Sequence, residues 1–397
     1  MMRRTYFLAI FSVIFFFCFS TFAVNTARID VVRSKEMMAD TDTEVIEAFL
    51  SEAFNEILAK SDFSDIASLR IAIVSRSTSE LESGQIQYGP RFFTAAQKQV
   101  SQAFQKTSQM PDSHRKDLLT MNLLILVNDL GNVEIAKNAF DYIQNPKTMI
   151  RYWAVGCLTN NNILRQLNLT GSTENSRLAE QFSQKLQAVA QTEQSGDILI
   201  QLVQFASAVK NPAANEILSQ IAQKRIELYL NWQVENEMVE SWILKALSDK
   251  AKSDTENASV LAKNFAILYS LVVQRYVIGQ ETLPETNIRN LISVIAQAEK
   301  YLLQLLPDWP GNLKSAIEKG GGSTLLAQHD LLLGSANAVG RLPAAANFDY
   351  GKNTDGSAKT APPTLQKPPQ AEAEQPAETK PETQAEEQSE EQPENSK

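Results

Sequence analysis

The chain has 397 residues, 43% of them apolar, and a formal net charge of −9, which is long and apolar enough to bury a sizeable core. Nine glutamates and only two lysines fall in residues 371–397, so that stretch holds most of the negative charge and the rest is close to neutral. A body with so weak a field is a poor match for nucleic acid or an anionic lipid surface, and neither is expected as a partner.

Residues 1–23 have the layout of a secretory signal: Arg3 and Arg4, an apolar run from Tyr6 to Phe19, then the small residues Thr21 and Ala23. Cleavage is expected after Ala23. The run is also long enough to span a bilayer if retained, with both arginines on the cytoplasmic side, so an uncleaved signal-anchor stays open. Arg3-Arg4 invites a twin-arginine reading, but the Phe-rich core suits the general secretory route better. Phe15-Phe16-Phe17 ahead of Cys18 lack the small residues of a lipobox. Either main reading puts the body outside the cytoplasm, in the periplasm, the envelope or the medium, with the membrane touched only through residues 1–23. Cys18 lies in the signal, which leaves Cys157 without an intramolecular disulfide partner. Set in the apolar stretch 150–158, Cys157 is expected to be buried and inert.

Residues 24–40 are expected to be a linker, followed by a helical domain over 41–343. Thr41-x-x-Glu44 has the spacing of a capping box. After it, Val45, Ile46, Phe49, Leu50, Ala53, Phe54, Ile57 and Leu58 recur on one helical face. The same periodicity predicts helices over 91–106, 116–128, 134–143, 148–158, 176–192, 198–209, 213–232, 238–250 and 258–278. Another follows Pro284, where Ile288, Leu291, Ile292, Ile295, Ala298, Leu302 and Leu305 form a stripe. Only 69–74 is a plausible strand. So many helices with short connections predict an all-α fold, built as helical hairpins stacked into an α-solenoid or as an irregular helical bundle.

Two Asn-Pro corners, Asn145-Pro146 and Asn211-Pro212, stand 66 residues apart, as two hairpins per period would place them. Asn is expected to cap the helix that follows and Pro to occupy its first turn. Asn145-Pro146, with Ile150-Arg151, Ala154 and Leu158, resembles the second helix of a HEAT repeat, and residues 196–221 resemble it more loosely. That resemblance implies a stack of helix pairs that binds a protein partner, with no chemistry attached. It also implies that Arg151 is a ladder or cap partner more than a ligand contact. Tyr152 points away from the packed face carrying Ile150, Trp153, Ala154, Cys157 and Leu158. Arg151 and Tyr152 are therefore the candidate binding residues.

Catalytic motifs are nearly absent. His114 reads as an exposed first-turn residue opened by Asp112 or Ser113. His329 has the chemistry of a general base but reads as a surface helical residue. Neither has a metal-ligand cluster around it, and no metal or cofactor is expected. Gly320-Gly321-Gly322-Ser323-Thr324 lacks the lysine of a phosphate loop, because Lys319 precedes the glycines. It is expected to be a flexible link with Ser323 or Thr324 capping a helix near Leu325. Glu240-Ser241 resembles the Glu-Ser pair of the lytic transglycosylases, but Trp242-Ile243-Leu244-Lys245 replaces that family's following segment, and Glu240 is expected on a solvated face. Trp309 is expected to fold back onto the helices. Seven prolines among Glu, Gln and Thr between 362 and 393 predict a disordered acidic tail over 344–397. The expected function is an exported, non-enzymatic binding or scaffold protein. A carboxylate-based carbohydrate-cleaving enzyme and a membrane-anchored assembly component are the alternatives.

Overall fold

In a computed structural model, residues 24–169, 173–319 and 322–367 are described. The signal or signal-anchor over 1–23, its cut after Ala23, and the tail from 368 onward lie outside the described residues. The chain divides after Leu365 into Met1–Leu365 and Gln366–Lys397, and only Gln366 and Lys367 of the second unit are described.

The first unit is all-α, with 17 α-helices, one 3-10 turn and a single two-residue strand pair among its described residues. We number the helices α1 (Ala27–Arg33), α2 (Asp40–Ala59), α3 (Phe63–Val74), α4 (Glu82–Ser108), α5 (His114–Leu130), α6 (Val133–Ala136), α7 (Thr148–Thr159), α8 (Asn161–Leu167) and α9 (Thr173–Ala190). There follow α10 (Gly196–Ala208), α11 (Pro212–Leu230), α12 (Val239–Ser253), α13 (Ala258–Gly279), α14 (Glu285–Leu305), α15 (Leu313–Glu318), α16 (Gly322–Leu333) and α17 (Arg341–Ala346). No described helix is long and apolar enough to cross a membrane.

The helices pack in two rows. In the first, α3, α5, α7, α10, α12 and α14 each lie against the next. In the second, α2 packs on α4, α4 on α6, α9 on α11, and α11 on α13, which also carries α16 and α17. Phe140, just past α6, meets Phe182 of α9 edge-on at 5.0 Å and closes the gap in that row. Chain neighbours such as α10 and α11, or α12 and α13, join the rows as hairpins. The stacked-hairpin expectation therefore holds at the level of helix packing. An interior helix has neighbours on several sides, and its burial follows. Around α13 the buried residues Phe265, Ala266, Ser270, Gln274, Leu271 and Leu268 face every direction, as expected of a helix enclosed by others.

Several boundaries depart from expectation. The segment expected as a linker contains α1, whose Ile29 and Val32 are buried against α2. Helix α2 is capped at Ala39, two residues before Thr41; Asp42 Oδ2 accepts the Ala39 amide at 2.8 Å in place of the expected capping box. Residues 69–74 are helical, because Ile66, Leu69 and Ile73 make a buried stripe that a strand would split between two faces. Helix α4 runs through Pro90, held by Tyr88 stacked on Phe92 at 5.8 Å and by the Tyr88 hydroxyl on the Arg76 carbonyl. Asn211 caps α11 by accepting from Ala214 N, with Pro212 first in the helix. The earlier corner differs: Asn145 accepts from Lys147 N, and α7 begins only at Thr148. Helix α16 opens at Gly322, so Ser323 and Thr324 lie inside its first turn rather than capping it; residues 320–321 are not described.

The body also extends past Pro343, where the disordered tail was expected to begin. Tyr350 donates its hydroxyl to the Leu333 carbonyl at 2.7 Å and is buried, and Leu365 is 2% exposed. Between them, 350–359 pair back on themselves through Tyr350 N to Lys359 O and Lys359 N to Gly351 O. A few apolar anchors thus hold a segment whose average composition is that of a solvated tail.

Candidate functional site

The connections that lead from the second row to the first lie next to one another and share a chain of polar contacts. Arg115 donates to the Leu58 and Ala59 carbonyls, and Lys147 pairs with Asp117. Arg151 then forms a two-pronged ion pair with Glu193, Nε to Oε2 at 2.8 Å and Nη2 to Oε1 at 3.0 Å. Its third nitrogen, Nη1, takes the Asn145 and Pro146 carbonyls. Glu193 also accepts the Gln194 and Ser195 amides. Burial works to raise its pKa, but the guanidinium and these amides outweigh it and hold the carboxyl below its ordinary range. Arg151 therefore ties the Asn145-Pro146 corner to the α9–α10 connection.

Further along, the loop from Asn231 to Met238 and helices α11, α12 and α13 enclose a cluster of charges. Arg225 of α11 donates Nε to Glu240 of α12 at 2.5 Å and Nη2 to the Glu235 carbonyl at 2.8 Å. Arg275 of α13 donates to the Val234 carbonyl and lies 3.7 Å from Glu237, which accepts from Asn287 Nδ2 at 2.6 Å. The Arg275 guanidinium sits 5.0 Å above the Trp232 ring and 5.8 Å from Tyr229. Trp232 holds a φ of +57°, costly for a bulky side chain, and this cation–π contact is one interaction that favours it. Burial pushes the Glu240 carboxyl up to about 7 against the pull of Arg225, and it pushes the Tyr229 hydroxyl well above its ordinary value. Glu240 Oε2, Arg275 Nε and Nη1, and the Tyr229 hydroxyl have no protein hydrogen-bond partner.

A cavity of about 230 Å³ opens beside this cluster, with Glu193, Gln194, Lys224, Arg225, Gln233 and Glu235 among its walls. Glu193 also borders the recess at the Asn145-Pro146 corner, which Arg151 lines. Mixed charges and amides on an apolar floor suit recognition of a polar group. Glu240 itself is 0% exposed and does not line the cavity, and a general acid must touch the bond it protonates. Glu240 was expected on a solvated face. It is buried because α12 packs on α10, α11, α13 and α14.

The other candidates fall elsewhere. Tyr152 is half-buried, edge-on to Trp153 at 5.4 Å, and packs against the core beside it; Trp153 is itself half-buried. Arg151 and Tyr152 thus serve different surroundings. Cys157 is fully buried with its thiol on the Leu124 carbonyl, and burial pushes its pKa up. His114 is exposed in the first turn of α5, where Ser113 accepts from Lys116 N. Trp309 is buried under Arg341, whose guanidinium lies 5.7 Å from its ring. His329 corrects the surface expectation: it is 4% exposed, because α16 packs onto α13. Its Nε2 meets Ser270 Oγ at 2.8 Å and its Nδ1 meets Asp330 at 2.9 Å. That order resembles a nucleophile triad, but Ser270 is 0% exposed and also accepts from Gln274 Nε2, so no substrate carbonyl reaches it.

Arg225, Glu237 and Arg275 were missed at the sequence level. The signal was present: Gln274-Arg275 interrupts the apolar run from Ala266 to Ile278, and a charge there must be paired. Among the described residues, no cluster of histidine, cysteine and carboxylate side chains has the makings of a metal site. No family model, no curated protein and no solved structure matches this chain.

Proposed function

We propose that the protein is an exported binding or scaffold module, a HEAT-like stack of helical hairpins that holds a protein partner on its first row of helices. The observation carrying this reading is the groove around Trp242. This side chain of α12 is 44% exposed and lies beside Leu164, Val203, Ala208 and Ala246 in a recess of about 390 Å³. A large exposed aromatic over an apolar floor is the chemistry of an interface anchor. The closed state of Glu240 supports a non-enzymatic role over carboxylate-based cleavage of carbohydrate. The signal-like residues 1–23 support export and, if retained, anchoring.

Photo-crosslinking in the native host tests this reading. A photoreactive residue at Trp242 should give one discrete protein adduct, whereas the same residue at Gln184 on α9, in the second row, should give none. Equal labelling at both positions, or no adduct at Trp242, would refute the assignment of the surface. Trp242→Ala should remove the adduct formed from a neighbouring position such as Lys245 while leaving the helical circular dichroism unchanged.

A further inference from the structure

The last segment of the first unit, Ala361-Pro362-Pro363-Thr364-Leu365, is held through its main chain by a single carboxamide, as Gln166 holds the Gly131 carbonyl and the Val133 amide. Pro363 is half-buried and Thr364 is exposed, and Pro362 and Leu365 on either side are buried. The main chain between them is read by one side chain. Gln274 of α13 accepts the Leu365 amide on Oε1 at 2.7 Å and donates Nε2 to the Pro363 carbonyl at 2.9 Å. A carbonyl at one position and the amide two residues later point to the same side of an extended chain, so a single carboxamide pairs with both as a neighbouring strand would.

The orientation of that carboxamide is set by the segment in front of it and supported from behind. Gln274 Nε2 also donates to Ser270 Oγ at 2.8 Å, Ser270 Oγ bonds His329 Nε2 at 2.8 Å, and His329 Nδ1 bonds Asp330 at 2.9 Å. A carboxylate accepts, which assigns the ring proton to Nδ1 and leaves Nε2 to accept from Ser270. Every donor in this relay has an acceptor in only one sense. Reversing the amide would set Oε1 against the Pro363 carbonyl. Gln274, Ser270 and His329 are all buried, and burying polar groups is costly unless they are bonded. Gln274 Oε1 and the second Nε2 hydrogen keep their protein partners only with this segment's main chain in place.

We infer that the face of α13 and α16 around Gln274 is a peptide-binding seat, with residues 361–365 of the same chain as its resident ligand. The recognised pattern is an extended segment with proline three residues before a buried leucine. Main-chain pairing to Gln274 supplies the register, and the leucine supplies the anchor. When the resident segment leaves, the seat accepts the same segment from a second copy of the chain, because the chemistry it reads is identical.

A chain ending at Thr360, with the signal removed, is tested for binding of a fluorescent peptide spanning residues 360–367 by anisotropy. The expected result is saturable binding to the shortened chain and none to the full-length chain. Leu365→Ala in the peptide should weaken binding at least about tenfold, from the apolar area of one leucine. Gln274→Leu in the protein should reduce binding to background. If the shortened chain does not fold, a protease site placed at Asp355-Gly356 in the exposed turn lets the folded full chain be nicked. The nicked chain should then exchange its own segment for the labelled peptide. A folded shortened chain that binds no peptide, a nicked chain that never exchanges, or a full-length chain that binds as well as the shortened one overturns the inference.

Discussion

The ion pair between Arg225 and Glu240 allows a sharp stability test. Arg225 is 4% and Glu240 0% exposed, and their closest approach is 2.5 Å. Two unit charges about 4 Å apart attract by roughly 4 kcal/mol at an effective dielectric of about 20. Taking each charge out of water costs several kcal/mol, so the pair as a whole adds little net stability. Removing one member is different. Glu240→Ala leaves a buried guanidinium with only the Glu235 carbonyl, and the expected loss is about 3–5 kcal/mol. Arg225→Met leaves Glu240 with no opposite charge beside it and should cost a similar amount, reduced to the extent that its raised pKa lets it take up a proton. The double replacement Arg225→Met with Glu240→Leu should return to within about 1 kcal/mol of the parent, or exceed it. Urea unfolding, followed both by circular dichroism at 222 nm and by tryptophan emission, measures the cycle where the two transitions coincide. If the single losses simply add in the double variant, the two charges are not energetically coupled and the reasoning fails.

Four smaller expectations follow from the same geometry. Gly131 ends α5 at φ +55°, and a β-carbon there would meet Asn162 Nδ2 at 2.6 Å; Gly131→Ala should cost about 1–2 kcal/mol, with a thermal midpoint close to the parent's contradicting it. Arg151→Ala should cost about 1–3 kcal/mol, since Glu193 keeps only its two amide donors; unchanged urea midpoints would argue against a tie between the corners. Cys157, buried with its pKa pushed up, should react with a thiol reagent only after denaturation, and fast labelling of the native chain would contradict its burial. pH separates two groups of opposite sign. Burial lowers the pKa of His329 in the folded state, so the unfolded chain binds more protons and stability falls as pH drops below about 6.5. Burial raises Glu240 to about 7, so the folded chain binds more protons and stability falls as pH rises from its ordinary value toward about 7. His329→Gln should flatten the acid slope and Glu240→Gln the slope toward neutrality. Unchanged profiles in both variants would refute the assignment.

Most of the helices were legible in the linear chain. The stripe Ile46, Phe49, Ala53, Phe54 and Ile57 on α2 is one buried face, and so is Leu291, Val294, Ile295, Ala298 and Leu302 on α14. A period of 3.6 is a local property and survives whatever the helix packs against. The HEAT-like resemblance implied a ladder or cap role for Arg151, and its fork does donate to the Asn145 and Pro146 carbonyls; its carboxylate partner Glu193, 42 positions away, was not legible in the sequence. Glu240 and His329 were misread for a shared reason. A polar residue opposite an apolar stripe is taken as solvated, and that inference fails when a second helix covers the other face. The tail boundary was misplaced because composition averages over many residues, whereas Tyr350, Pro362 and Leu365 hold the segment from 350 to 365 by a few contacts.

The amino-acid order by itself determined where most of the helices lie, where several of them stop, and that Cys157 is the only cysteine of residues 24–397. Helical periodicity, caps and cysteine counts act over a few residues, and no distant neighbour is needed to read them. Only the tertiary structure decided which helices share a row. It also closed Glu240 away from the cavity and set Gln274 beneath residues 361–365, since these depend on groups 15 and about 90 positions apart along the chain. Burial is a property of what comes to lie on both sides of a helix, and one chain segment carries the pattern for only one of them.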